Sequence, residues 1–237
     1  MTNQFADKII GIIVPAYNPN MVHLKELIHR LKSLNLPHEV EILIVDDGSS
    51  LPISKNDFSQ DIQILRHVVN KGKGAGLRTG FVHFMKKDVV YLVITIDADL
   101  QHPPEIIPDF IQAYEKGKGE LIIGYRRRAL SIMPFHRIFS NMFTSLIIST
   151  LTGQLIKDSQ NGFRLHGREI LQKVQLKEDG FQMESEILIK AGWRGFRIGF
   201  VPMPTIYSQE KSSINNVKDT LNFILLILKF LRERLFR

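Results

Sequence analysis

The 237-residue chain contains no cysteine. That absence excludes a disulfide framework, a thiolate metal site and a cysteine nucleophile, and it fits a reducing compartment. There is no run of ~20 apolar residues of the kind that spans a bilayer; the unbroken apolar stretch of the tail, Phe223 to Leu228, is far shorter. The opening residues, MTNQFADKII, lack the basic region and apolar run of an export signal, so the expected location is cytoplasmic, peripheral on the inner face of the membrane. No internal repeat or low-complexity segment stands out. Acidic residues are the minority, 24 against 31 Lys and Arg, a formal charge of +7 that points to anionic partners such as nucleotides, phosphates, nucleic acid or a membrane surface. With 44% hydrophobic and 23% charged residues, the chain has the composition of a soluble protein with one sizeable core.

Apolar runs and helical periods alternate from the start. Ile9 to Val14, Glu41 to Val45, Ile62 to Val69, Val89 to Ile96 and Leu121 to Ile123 read as strands, and Met21 to Leu36 and Pro103 to Tyr114 as helices between them. The Gly-rich NKGKGAGLRTG leads into another helix through Phe81, Val82 and Met85. The strands are apolar throughout rather than alternating, which predicts burial on both faces and a doubly wound, mostly parallel α/β sheet. Beyond a basic stretch at Arg126 to Arg128, Ile138 to Leu151 and Phe181 to Ala191 read as helices, Ser159 to Leu165 as a turn with a short strand, and Phe196 to Pro202 as a strand. The expected division is a domain over 1–216 followed by an amphipathic helix over 217–237.

The chemistry gathers at strand ends. ITIDADLQHPPE, Ile94 to Glu105, closes a buried strand with Asp97 and Asp99, which point the same way in extended chain, and with Gln101 in reach. Such oxygens suit Mg²⁺ or Mn²⁺, which take substrate phosphates as further ligands, although a lone D-x-D serves equally as a cap or turn. VDDGSS ends the second strand with Asp46 and Asp47, ready for a base or ribose or simply good turn chemistry. NKGKGAG lacks the spacing of a P-loop; its amides with Lys71 and Lys73 meet a nucleotide or form a solvated turn. Arg126, Arg127, Arg137, Arg164, Lys211, Ser212 and Ser213 follow, and as a set beside two carboxylates they suggest a diphosphate ligand.

VPAYNPN, VDDGSS, NKGKGAGLRTGF, DADLQHPPE, DSQNGFR, FQMESE and YSQEKSSI, in this order from about Ile9 to Ile214, resemble glycosyltransferase family 2, nearest the dolichol- or polyprenyl-phosphate sugar transferases. The resemblance implies a GT-A fold, a nucleotide-diphosphate sugar donor, and Mg²⁺ or Mn²⁺ on Asp97, Asp99 and Gln101. It implies that Pro15, Tyr17, Asp46, Asp47 and Lys73 line the nucleotide pocket with Asp97. Arg164 and Lys211 then meet the donor, and Arg126, Arg137 and Ser212 the acceptor phosphate, with Asp99, Glu184 and Arg126 as catalytic groups. Two positions depart from the family: Pro19 stands where Glu usually follows the Tyr-Asn of the first strand, and Glu210 stands before Lys211 where Arg often does.

Transfer builds negative charge on the leaving diphosphate, which a metal and a cation offset. A hydroxyl acceptor, on a glycan or glycerolipid, calls for a base such as Glu184 or Glu186, whereas a lipid phosphate is already an anionic nucleophile. The number of arginines, against few candidate bases, favours the phosphate acceptor, and the resemblance implies an inverting transfer from GDP-mannose or a UDP-sugar to a polyprenyl or dolichyl phosphate; Glu184 stands as base, acceptor-positioning group or plain surface glutamate. In the tail, Leu221, Ile224, Leu225, Leu228, Leu231 and Leu235 share a helical face, widened by Phe223, Leu226, Ile227 and Phe230, with Lys229, Arg232, Arg234 and Arg237 toward the end. That pattern suits a helix lying on anionic lipid, or one packed on the core or on a second copy in a homodimer. An aspartate-nucleophile phosphohydrolase places its D-x-D on the first strand, and this chain has Pro-Ala-Tyr-Asn there. A nucleic-acid binder would gather its basic residues in one stripe with exposed aromatics, so nucleic acid is not an expected partner.

Overall fold

The computed structural model describes residues 8–126, 135–206 and 216–235; the side chains of 135–137, 216–219 and 235 lie outside the description. Among the described residues, the strands β1 (Ile9–Ala16), β2 (Glu39–Asp46), β3 (Gln63–Arg66), β4 (Val90–Thr95), β5 (Leu121–Arg126), β6 (Arg164–Gly167) and β7 (Ile198–Met203) form one sheet in the order β3-β2-β1-β4-β6-β5-β7. Every pairing is parallel except those of β6, which runs antiparallel between β4 and β5. The expected doubly wound α/β architecture is therefore what the chain adopts.

The helices α1 (Met21–Lys32) and α3 (Ile107–Glu115) cover one face of the sheet, where Leu24, Leu27, Ile107 and Phe110 join Ile12, Ile44 and Ile94. On the other face, α2 (Lys73–Met85) packs Leu77, Phe81 and Phe84 onto Ile13, Leu43 and Val93. Farther along that face lie α4 (Phe135–Thr152), the short α5 (Arg168–Lys173), α6 (Met183–Trp193) and α7 (Asn216–Leu235). Asn20 starts α1 by accepting from the Val22 amide at 3.0 Å, and His29, Arg30 and Lys32 sit in its last turn, where positive charge suits the helix dipole.

Three elements differ from the sequence reading. β3 stops at Arg66, since its pairing partner β2 ends at Asp46, and Val68 and Val69, strand-like in composition, are exposed. The prolines at 103 and 104 open a 3-10 turn, Pro104–Ile106, before α3 begins. α5, at six residues, is too short to show a period.

The tail resolves into two faces. Leu226 and Phe230 are buried in the core with Phe223 and Ile227 against it, and Phe230 meets Trp193 edge to face at 5.2 Å. Leu221, Ile224, Leu225, Leu228 and Leu231 are exposed. Lys229 is turned onto Glu178 at 2.8 Å, and Arg234 reaches the Leu151 carbonyl at 3.3 Å. Core packing and an uncovered apolar face thus belong to opposite sides of one helix. No helix among the described residues is long and apolar enough to cross a membrane.

Candidate active site

The parallel strands deliver their carboxyl ends to one edge, and the antiparallel β6 brings its beginning to the same edge. Arg164 pairs with Thr95 of β4 and with Ile123 of β5, so the turn 158–163 lies beside the end of β4. The Thr95 hydroxyl fixes it, donating to the Gly162 carbonyl at 2.7 Å.

At that edge Lys73, the first residue of α2, reaches both carboxylates facing it. Its Nζ is 2.7 Å from Asp97 Oδ1, 3.0 Å from Asp97 Oδ2 and 2.8 Å from Glu184 Oε1. The contact with Glu184 is an ion pair to a buried carboxylate oxygen. A methyl group on Gly162 would stand 2.7 Å from Lys73 Nζ, 2.8 Å from Glu184 Oε1 and 3.0 Å from Asp97 Oδ2, so it would displace these charged ends. Burial works against charge on Lys73, yet Asp97 and Glu184 outweigh it and hold the ammonium's pKa above the usual lysine value. Burial likewise pushes Asp97 up, but Lys73, with His102 behind it, keeps that carboxyl below the ordinary range. Asp99 moves the other way, raised by burial and by the charge of Asp97.

Asp99 accepts from the Gln101 backbone amide at 3.0 Å, and Leu100 between them sits at φ 59°, a left-handed conformation uncommon for a leucine. His102, unassigned from the sequence, has a place here: it is buried, stacks on Phe163 at 5.4 Å, and its Nδ1 lies 3.4 Å from the Asp97 amide that donates to it. Burial holds the imidazole below its ordinary pKa against the pull of Asp97 and Asp99, while the charges of Lys73 and Arg126 add to the depression. Two neighbouring carboxylates, one burdened by the other's charge, are a donor set that welcomes a hard divalent cation with positions left for outside oxygens. Among the described residues no group of three or more His, Asp or Glu is arranged to hold one.

The remaining expected residues fall at the same edge but differ in what they offer. Tyr17 is 50% exposed just beyond β1 and presents a ring to solvent. Asn18 ties that turn to β2, its amide donating to Ser49 Oγ at 2.9 Å. Asp46 is fully buried, accepting from the Ser49 amide at 2.9 Å, the Ile53 amide at 3.2 Å and Arg66. Asp47 accepts from the amides of Lys71 at 3.0 Å and Gly72 at 2.7 Å, and from His67, whose other ring nitrogen meets Thr79 at 2.9 Å. In the glycine-rich stretch the amides of Lys71 and Gly72 are thus taken by Asp47, while Asn70 and Lys71 are exposed. Gly72, at φ 99°, has its missing Cβ 2.6 Å from the Asp179 carbonyl, which also accepts from the Ala75 amide at 3.0 Å.

Arg164 differs most from its expected role. It is 1% exposed, and its guanidinium donates to the carbonyls of Asn161 at 2.7 Å, Glu184 at 2.7 Å and Ser159 at 2.8 Å. Those bonds tie the 159–164 turn to α6 and leave no face for a phosphate. Glu186 also turns away from the edge, accepting from the amides of Lys177 and Glu178 and pairing with Lys190. Arg126 lies at the edge on Asp158, with Nε 3.0 Å from Oδ2, and Asn141 donates to the same carboxylate at 3.0 Å. Asp158 and Asn161 stood in the DSQNGFR motif without a role of their own. Arg127, Lys211, Ser212, Ser213 and Arg237, and the Arg137 side chain, lie outside the described residues.

The sequence profile described as "Glycosyl transferase family 2" matches residues 11–175. The chain is 31% identical over 228 residues to the UDP-N-acetylglucosamine--dolichyl-phosphate N-acetylglucosaminyltransferase of Methanococcus voltae, covering 86% of this chain and 88% of that protein. It is 30% identical over 188 residues to the dolichol-phosphate mannosyltransferase of Pyrococcus furiosus, covering 76% of this chain and 52% of that protein. In structure it is similar to glucosyl-3-phosphoglycerate synthase from Mycobacterium tuberculosis, solved with Mn²⁺, UDP and phosphoglyceric acid. There the TM-score is 0.71, with 18% identity over 97% of this chain and 79% of that one.

The Asp47 latch is directly measurable. Asp47→Ala should raise the hydrogen-exchange rates of the Lys71 and Gly72 amides by about tenfold or more, with the β1 and β4 amides unchanged; unaltered protection at 71 and 72 would remove the latch.

Proposed function

Because the chain belongs to glycosyl transferase family 2, we propose that it moves a sugar from a nucleotide-diphosphate donor to a polyprenyl or dolichyl phosphate, with inversion. The observation that carries this reading is the cluster at the end of β4, where Asp97 and Asp99 stand beside Lys73 and His102. The named relatives that act on dolichyl phosphate, and the structural neighbour solved with Mn²⁺ and UDP, support it. Asp97 and Asp99, with Gln101, are the residues that would hold Mg²⁺ or Mn²⁺, which when bound supplies positive charge to the leaving diphosphate.

The chain's own groups do the rest. Tyr17 offers a ring for a base to stack on, and Asp46 and Asp47 shape the loops around it. Lys73 and Arg126 place positive charge where the phosphates approach, the setting in which charge developing on a leaving group is best offset. Glu184 is held to Lys73 at 2.8 Å, which favours a positioning role over that of a base. A phosphate acceptor suits such a site, since it arrives as an anion and needs no base. Arg137, Lys211 and Ser212 remain candidates for the phosphates. A glycan or glycerolipid hydroxyl would need a free base instead, and both glutamates considered for that role are engaged.

We take 1–216 as the transferase domain and 217–237 as the helix that seats it peripherally on the inner membrane face. The exposed Leu221, Ile224, Leu225, Leu228 and Leu231 of α7, with Phe139, Met142, Phe143 and Leu146 of α4, support this. The exposed Arg232 suits anionic headgroups.

Asp97→Asn and Asp99→Asn should each lower sugar transfer by ~100-fold or more while thermal melts stay cooperative; transfer at the wild-type rate in either variant would remove the carboxylate pair from the reaction. Ile224→Glu combined with Leu228→Glu changes only exposed positions of α7 and should abolish sedimentation with anionic liposomes, whereas undiminished sedimentation would show that this face does not meet lipid.

A further inference from the structure

Lys73 lies on both oxygens of Asp97, one of the two carboxylates that would hold a cation. Its ammonium spans both oxygens of that carboxylate, at 2.7 and 3.0 Å, and draws in Glu184 at 2.8 Å. Gly162 lies behind the three charged ends, where a Cβ would stand 2.7 Å from Lys73 Nζ, 2.8 Å from Glu184 Oε1 and 3.0 Å from Asp97 Oδ2 and so would push them aside. From below, the Asp47 latch on Gly72 sets where α2 begins. A divalent ion seated on Asp97 and Asp99 would stand within a few ångströms of a fixed positive charge, and like charges at that distance oppose each other strongly in a partly buried site.

We propose that Lys73 is a place-holder for the divalent cation, closing the Asp97 and Asp99 site to metal alone and opening it only when a diphosphate arrives to draw the ammonium away. The inference rests on the metal-site reading above and adds an order to it. Without a donor the ammonium stays on Asp97; a donor diphosphate offers it a second anion, and Asp97 is released to the cation that the same diphosphate carries. Metal and donor then bind as a pair, each raising the affinity of the other. Glu184 remains as the lysine's second partner, so the ammonium swings between anions without losing compensation for its burial.

The test reads Mn²⁺ binding by the loss of its free-ion electron paramagnetic resonance signal, first with the metal alone and then with UDP or GDP. Wild-type protein should bind Mn²⁺ weakly by itself and far more tightly with nucleotide. Lys73→Met should bind Mn²⁺ alone at least about tenfold more tightly than wild type, and its gain from nucleotide should shrink. Lys73→Gln, which can still hydrogen-bond to both carboxylates, carries the same expectation should the methionine variant fail to melt cooperatively. If wild type binds Mn²⁺ with nucleotide but neither variant binds the metal alone more tightly, the place-holder role is overturned and the metal site stands. If wild type binds no Mn²⁺ even with nucleotide, both are overturned.

Discussion

A carboxylate taken out of water must be met by a cation, and at the mouth of β4 one lysine meets two. Asp97 and Glu184 come from elements far apart in sequence, and Lys73 from a third; removing the shared partner of such a buried pair typically costs ~3–5 kcal/mol. The rest of the edge is arranged around this contact. A Cβ at Gly162 would stand within about 3.0 Å of all three charged ends and press on them. β6 runs against its neighbours so that the turn carrying Gly162 reaches the edge at all. Arg164, buried beneath, spends its donors on carbonyls to hold that turn in place.

The loops that carry the other groups are held in the same manner, by acidic residues whose work is inward. Asp46 closes the turn after β2, and Asp47 reaches across to the glycine-rich start of α2. His67 extends the connection to Thr79, one turn and a half along the helix that begins with Lys73. A glycine-rich stretch that reads as flexible is thereby fixed at both ends, and the lysine it presents is aimed before any ligand arrives. Such preorganisation is what a site needs if charge is to be offset where it develops.

The sheet was legible because strands buried on both faces leave continuous apolar runs, and the D-x-D because two charges have no place at the end of such a run. The direction of β6 was not: four residues, RLHG, carry nothing that separates parallel from antiparallel pairing. Arg164 was misread for a related reason. An arginine in a motif near carboxylates suggests a phosphate clamp, and only the fold reveals that three carbonyls already surround it. The tail illustrates an opposite limit, since its periodicity marked an apolar helix but not that Leu226 and Phe230 face protein while Ile224 and Leu228 do not. His102 and Gly162 carried no signal of their own, because each matters through what it touches.

On the proposed reading, a site whose nearby glutamate is already held by a lysine receives an acceptor that arrives as an anion rather than an alcohol that must be deprotonated. The acceptor therefore tests the account most directly. Purified protein with Mn²⁺ and a panel of radiolabelled UDP- and GDP-sugars should transfer label to a polyprenyl phosphate and leave the matching polyprenol unlabelled. Equal labelling of the polyprenol, or label appearing on a glycan while the lipid phosphate stays blank, would contradict it.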